Sequence, residues 1–130
     1  MNFSMNNAFW ARVLLALLFV YAGYGKLMNF TGFVDNALTP KFAALSTVVG
    51  ILVVIIEIVV AIAFVVDYKR KWATRILIGF TALVTILYHN PWAGGTFDGN
   101  MMVMALKNLA IIGGFWATLQ ELHHHKAHHA

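Results

Sequence analysis

Residues 42–66 read FAALSTVVGILVVIIEIVVAIAFVV, an apolar run whose one charged residue is Glu57. A run of this length is a transmembrane helix, because about 20 apolar residues rising roughly 1.5 Å each match the hydrocarbon core of a bilayer. A carboxylate placed inside it costs at least about 2.5 to 3.5 kcal/mol on insertion scales, so Glu57 calls for a partner cation, a proton or a cavity.

The rest of the chain has the same character. Of its 130 residues 61% are hydrophobic and 11% charged, against about 25% charged in soluble domains. Three more apolar segments lie at about 9–27, 72–90 and 101–119. Lipid offers backbone groups no partner and four strands close no barrel, so the segments are helices. The expected fold is all-α, an integral membrane four-helix bundle forming a single domain over residues 1–122, with a His-rich tail at 123–130. No room is left for a separate soluble domain. Arg12 precedes an apolar stretch, as in a signal peptide, but residues 1–11 carry no charged side chain and three spans follow. The first segment is read as a retained span.

The formal net charge of +4 does not point to nucleic acid, because the basic residues Lys69, Arg70, Lys71 and Arg75 gather at span ends, where they set topology. With Arg12 they place both termini in the cytoplasm. Trp10, Tyr68, Trp72 and Trp116 then fall at the cytoplasmic interface and Trp92 at the outer one. The connections at 28–41 and 91–100, rich in Gly, Asn, Asp, Thr and Pro, read as tight turns. With no cysteine in the sequence, thiol and disulfide exchange is excluded, and any electrons must travel on another group.

Trp10-Ala11-Arg12 opens the first span and Trp72-Ala73-Thr74-Arg75 the third, and 14 residues after each arginine stand Lys26 and His89. That spacing is close to four helical turns, so each pair shares a face. The echo is open to two readings, duplication of a two-helix hairpin or chance in so short a match.

Helical spacing aligns Gly50, Val54, Glu57 and Ala61 on the second span, and Asn100, Met104, Lys107, Ile111 and Gly114 on the fourth. Small residues beside charges favour close helix contact. The spacing predicts that Lys107 pairs with Glu57, with Lys26, His89, Asn90 and Asn108 above them towards the mouth of a polar cleft in the outer half. One reading of this cluster is purely structural: a Glu57–Lys107 pair fixes register, Lys26 snorkels to the interface, and His89-Asn90-Pro91 ends a helix. A second is a site for a polar-headed amphiphile such as a quinone, held by Lys26, His89, Asn90, Lys107 and Asn108, with His89, Glu57 and Lys107 as the groups that act on it; imidazole exchanges protons near neutrality. A third makes Glu57 the carrier on a proton or small-solute path. No metal is expected in the bundle. The tail, from His123 to His129, is open to three readings: a native segment, an expression tag, or a metal- or pH-responsive element.

Ala11-Arg12 with LLALLF, Gly23-Tyr24-Gly25-Lys26, Gly32-Phe33, Glu57, His89-Asn90, Asn100, Met104-Ala105-Leu106-Lys107-Asn108-Leu109 and Gly113-Gly114 together resemble the DoxX family of small bacterial membrane proteins. The resemblance runs over about residues 10 to 119. It implies a four-helix protein of the bacterial inner membrane and a link to oxidoreduction, through relatives that include the large subunit of an archaeal thiosulfate:quinone oxidoreductase and a mycobacterial membrane component joining superoxide dismutase with a sulfurtransferase. Taken with the polar cluster, the resemblance gives a quinone- or amphiphile-binding subunit of a redox or oxidative-stress complex, without thiol chemistry of its own. Its partners are the lipid bilayer, a soluble or membrane redox protein and a second copy in a homo-oligomer. The alternative is a non-enzymatic membrane scaffold or chaperone, since the wider group includes cargo receptors and receptor-assembly chaperones.

Overall fold

The structure is a computed structural model; it describes the backbone of residues 3–129 and the side chains of residues 7–120. The side chains of the His-rich tail lie outside the described residues. Four helical stretches are long and apolar enough to cross a membrane, Asn7–Met28, Phe30–Val65, Arg70–Tyr88 and Gly99–Gln120, and no strand occurs among the described residues. The all-α, membrane-spanning class is what the structure has. The chain divides into two compact units, residues 1–70 and 71–130. That division separates the two hairpins whose openings echo each other.

In the first unit, α1 (Phe3–Met28) ends at Asn29, whose φ of −136° and ψ of 59° break the helix. The expectation of a tight turn over 28–41 is corrected here. The chain continues helically through α2 (Phe30–Phe33), a π turn at Val34–Leu38 and α3 (Thr39–Phe42). Pro40 explains the irregularity, since it has no N–H to give the carbonyl of Asn36 and its ring crowds that turn. The reversal comes later, at Ala43, whose φ of 48° is left-handed, and the Ser46 hydroxyl donates to the Ala43 carbonyl at 2.7 Å. The second arm follows as α4 (Ser46–Ile55), a π turn at Ile56–Val60 and α5 (Ala61–Val65).

The two arms run antiparallel and in register. Buried or half-buried Ala16, Phe19, Gly23, Lys26 and Phe30 form one stripe at alternating three- and four-residue spacing, facing Gly50, Glu57, Ala61 and Phe64. Glycine sets the approach at two points. A Cβ on Gly23 would lie 2.7 Å from Ile58 Cγ1 and 2.9 Å from Glu57 Cβ, and one on Gly50 would lie 3.0 Å from both Phe30 Cζ and Val34 Cγ2. The connection after this arm is short: Asp67 and Lys69 adopt left-handed φ of 67° and 47°, and Asp67 Oδ1 lies 3.4 Å from Arg70 Nε.

In the second unit, α6 (Arg70–Tyr88) and α7 (Gly99–His129) are joined by a non-helical loop, as 91–100 predicts. Asn90 Oδ1 accepts the Trp92 N–H at 2.9 Å, and Asp98 Oδ1 caps α7 by accepting the N–H groups of Asn100 and Met101 at 3.0 and 3.2 Å. The buried stripe of α6 is Ala73, Thr74, Leu77 and Thr81, and that of α7 is Ala105, Asn108, Phe115 and Thr118. The expected inward stripe of Asn100, Met104, Lys107, Ile111 and Gly114 is therefore turned: Lys107 is exposed and its neighbour Asn108 is buried.

The Gly23 contact is testable. Gly23→Val inserts atoms against Glu57 and Ile58 and is expected to cost about 1–3 kcal/mol, whereas Gly25→Ala, with nothing within 4 Å of its Cβ, changes stability by less than about 1 kcal/mol. Unfolding of the purified protein in mixed micelles measures both, and equal effects would contradict the packing described.

Candidate functional site

The partner of Glu57 is Lys26. Its ammonium donates to both carboxylate oxygens, at 2.7 Å to Oε1 and 2.9 Å to Oε2. This corrects the expected pairing with Lys107, and it also corrects the placement of Lys26 above the pair at the mouth of a cleft. The reason is the hairpin register: with Gly23 against Ile58, the last turn of α1 lies beside the middle of the second arm. The side chain of Glu57 is 5% exposed and that of Lys26 28%, so the carboxylate is enclosed while the ammonium keeps an open side. The Phe33 ring covers part of it, with Nζ 5.4 Å from the centroid. Glu57 is the second residue of the π turn at Ile56–Val60. Such widened turns are a frequent feature of functional sites in helices.

The second unit carries the other sequence-derived candidates. Thr81, Thr85 and His89 follow one another at i, i+4 spacing on α6 and its continuation. The Thr81 and Thr85 hydroxyls donate to the carbonyls of Leu77 and Thr81, at 2.8 and 2.7 Å, which leaves the Thr85 oxygen free to accept Asn108 Nδ2 at 3.0 Å. That bond fixes the level of α7 against α6. His89 lies one turn beyond Thr85 on the same stripe, about 6 Å along the axis, and is held by its N–H to the Thr85 carbonyl at 3.0 Å. It stands just past the end of the third span, with its ring half-buried. Burial, and then the nearby Lys107 charge, hold the imidazole pKa below its usual value. Its Nδ1 is buried and has no hydrogen-bond partner among the described residues.

The six candidates thus separate. Lys26 and Glu57 neutralise each other, Asn90 shapes the loop and Asn108 ties α7 to α6. His89 Nδ1 has no hydrogen-bond partner among the described residues, and the Lys107 charge acts on its ring. Thr85 and Phe33 were not among the candidates, although the i, i+4 run of Thr81, Thr85 and His89 is visible in the sequence. Phe33 gave no signal, because the segment carrying it reads as a turn. Among the described residues no group of three or more His, Cys, Asp or Glu side chains is placed to hold a metal ion.

Four apolar spans, a neutralised intramembrane ion pair and a polar span end define a multi-pass integral membrane protein. The family model of the methylamine utilisation protein MauE matches residues 5–98, and the chain belongs to that family. This corrects the resemblance to the DoxX family, since the family model that the chain matches is MauE. Two Escherichia coli K12 proteins are similar: inner membrane protein YqjF, 31% identical over 108 residues, and inner membrane protein YphA, 27% identical over 106. Each alignment covers 81% of this chain and 75% of the relative. No solved structure matches. The protein is a component of the bacterial inner membrane.

Removing one member of the ion pair leaves a buried or half-buried charge uncompensated. Lys26→Met is expected to destabilise the protein by about 3 kcal/mol or more, and Lys26→Met with Glu57→Leu to recover most of the loss. The check is a double-mutant cycle by unfolding in micelles; additive losses would show that the two side chains do not act as a pair.

Proposed function

We propose that the protein is a ligand-binding subunit of a membrane redox system, and that it binds a quinone or a similar polar-headed amphiphile at His89 and Lys107. The observation that carries this reading is the buried, unpartnered Nδ1 of His89 beside the Lys107 charge. An unsatisfied buried polar atom costs about 1–3 kcal/mol, and a ligand oxygen brought to it removes that cost. Lys107 supports the same reading from the other side. It is exposed on a face of α7 that also exposes Val103, Leu106 and Ala110, an apolar setting in which an ammonium gains from an oxygen-bearing head. The tail of an amphiphile suits those neighbours. The MauE description ties the family to methylamine utilisation and names no ligand, so the ligand class follows from His89 and Lys107. With no cysteine in the chain, the reducing equivalents come from a partner protein or a soluble donor.

A second reading, a non-enzymatic scaffold, is favoured by Lys26 and Glu57. Both oxygens of the carboxylate are engaged by one ammonium within a hairpin, the arrangement of an element that fixes register.

The two readings part on one measurement. Protein extracted from membranes is expected to carry quinone, and His89→Ala and Lys107→Ala to lower its affinity for added quinone about tenfold each, the loss of one charge-assisted hydrogen bond or its equivalent. Protein that copurifies without quinone, and binds added quinone equally well with and without the substitutions, would leave the scaffold reading.

A further inference from the structure

We infer that the exposed face of α6 near its start is a binding site for an anionic phospholipid, with Arg75 and Lys71 on the phosphate and an acyl chain laid over Gly79. This site is independent of the one at His89, which stands 14 residues beyond Arg75, about 21 Å along the axis.

Charge calls for the headgroup. Lys71 and Arg75 are i, i+4 neighbours on one helix, where like charges repel, and Lys71 lies in the first turn of α6, where the helix dipole is itself positive. Neither has a hydrogen bond or an ion pair among the described residues, and the acid nearest in sequence, Asp67, lies 3.4 Å from Arg70. Arg75 instead leans over Trp72, with Cζ 5.2 Å from a ring centroid. The ring supplies no oxygen acceptor, so the guanidinium keeps its fork of N–H donors for two phosphate oxygens.

The rest of the face decides for a lipid over a free anion. Trp72, Arg75, Ile76, Gly79 and Leu83 form one exposed stripe, opposite the buried Ala73, Thr74, Leu77 and Thr81, and the stripe runs from the start of the span into its apolar middle. Nothing lies within 4 Å of where a Cβ on Gly79 would stand. Glycine inside a helix costs stability relative to alanine, and no neighbour within the protein uses the space it leaves. Its use is outward: a notch beneath Arg75, walled by Ile76 and Leu83, in which an acyl chain lies against the backbone. A zwitterionic headgroup brings its own cation to Arg75 and Lys71, whereas a headgroup of net negative charge does not, so the site selects by charge.

The test uses Trp72 as reporter. The full chain with Trp10, Trp92 and Trp116 replaced by Phe is reconstituted in vesicles of phosphatidylglycerol and phosphatidylcholine, one of them brominated on its acyl chains, and quenching of Trp72 reads which lipid occupies the site. Phosphatidylglycerol is expected to be preferred about fivefold, the value of one basic side chain at an anionic headgroup. Arg75→Gln is expected to abolish the preference, Gly79→Leu to lower it, and excess inorganic phosphate to leave it unchanged. Unchanged unfolding midpoints verify that the variants are folded. Equal quenching by the two lipids, or a preference that survives Arg75→Gln, would overturn the site. A preference erased by inorganic phosphate would show a free-anion site in place of a lipid site, and one unaffected by Gly79→Leu would overturn the seat for the acyl chain.

Discussion

A carboxylate inside a bilayer has to be neutralised, and the first half of this protein is organised around how that is done. Lys26 reaches both oxygens of Glu57 only because the arms of the hairpin are paired in one register, with Gly23 against Ile58 and Gly50 against Phe30 and Val34. A shift by one helical turn would strand both charges in an apolar medium, so the pair selects a single alignment from several that the apolar residues alone would tolerate. The glycines allow the approach and the charges fix its position.

The second hairpin uses polarity differently. Its interhelical tie is neutral, a Thr85–Asn108 hydrogen bond, and Lys107 stands outside that tie. Lys26 and His89 occupy corresponding places, each late on the first helix of its hairpin, yet one meets an acid and the other a base. A neutralised pair stabilises, while a cation beside a half-buried imidazole leaves a local excess of positive charge. This difference between the two hairpins is why the proposed ligand is sought in the second unit.

Much of this was legible in the sequence. The four spans follow from hydropathy, and the inward positions of Gly50, Glu57 and Ala61 follow from helical spacing. Glu57 called for a partner cation, a proton or a cavity, and the choice between Lys26 and Lys107 as that cation depends on where α1 ends relative to the second arm. Helix continues through 30–42 despite Gly32, Asn36 and Pro40, and local turn propensity hid this. Lys107 misled for a related reason: one residue amounts to about 100° of rotation on a helix, enough to exchange it with Asn108 on the buried face. The DoxX resemblance failed because its pieces, an Ala-Arg before leucines, a Gly-Tyr-Gly-Lys, a His-Asn, are each short enough to occur on other four-span proteins.

The late reversal at Ala43 has a consequence for how the protein meets the membrane surface. Ala43 lies 14 residues from Glu57, about 21 Å along a helix axis, while half of the hydrocarbon layer is about 15 Å. With Glu57 at mid-depth, the hairpin passes through the acyl chains and ends among the lipid headgroups as a helical tip bearing Lys41. Asp35, Asn36 and Thr39 mark the level where it emerges. What a hydropathy plot draws as a loop at the surface is a stiff extension of the span, and its length sets the depth at which the ion pair is held.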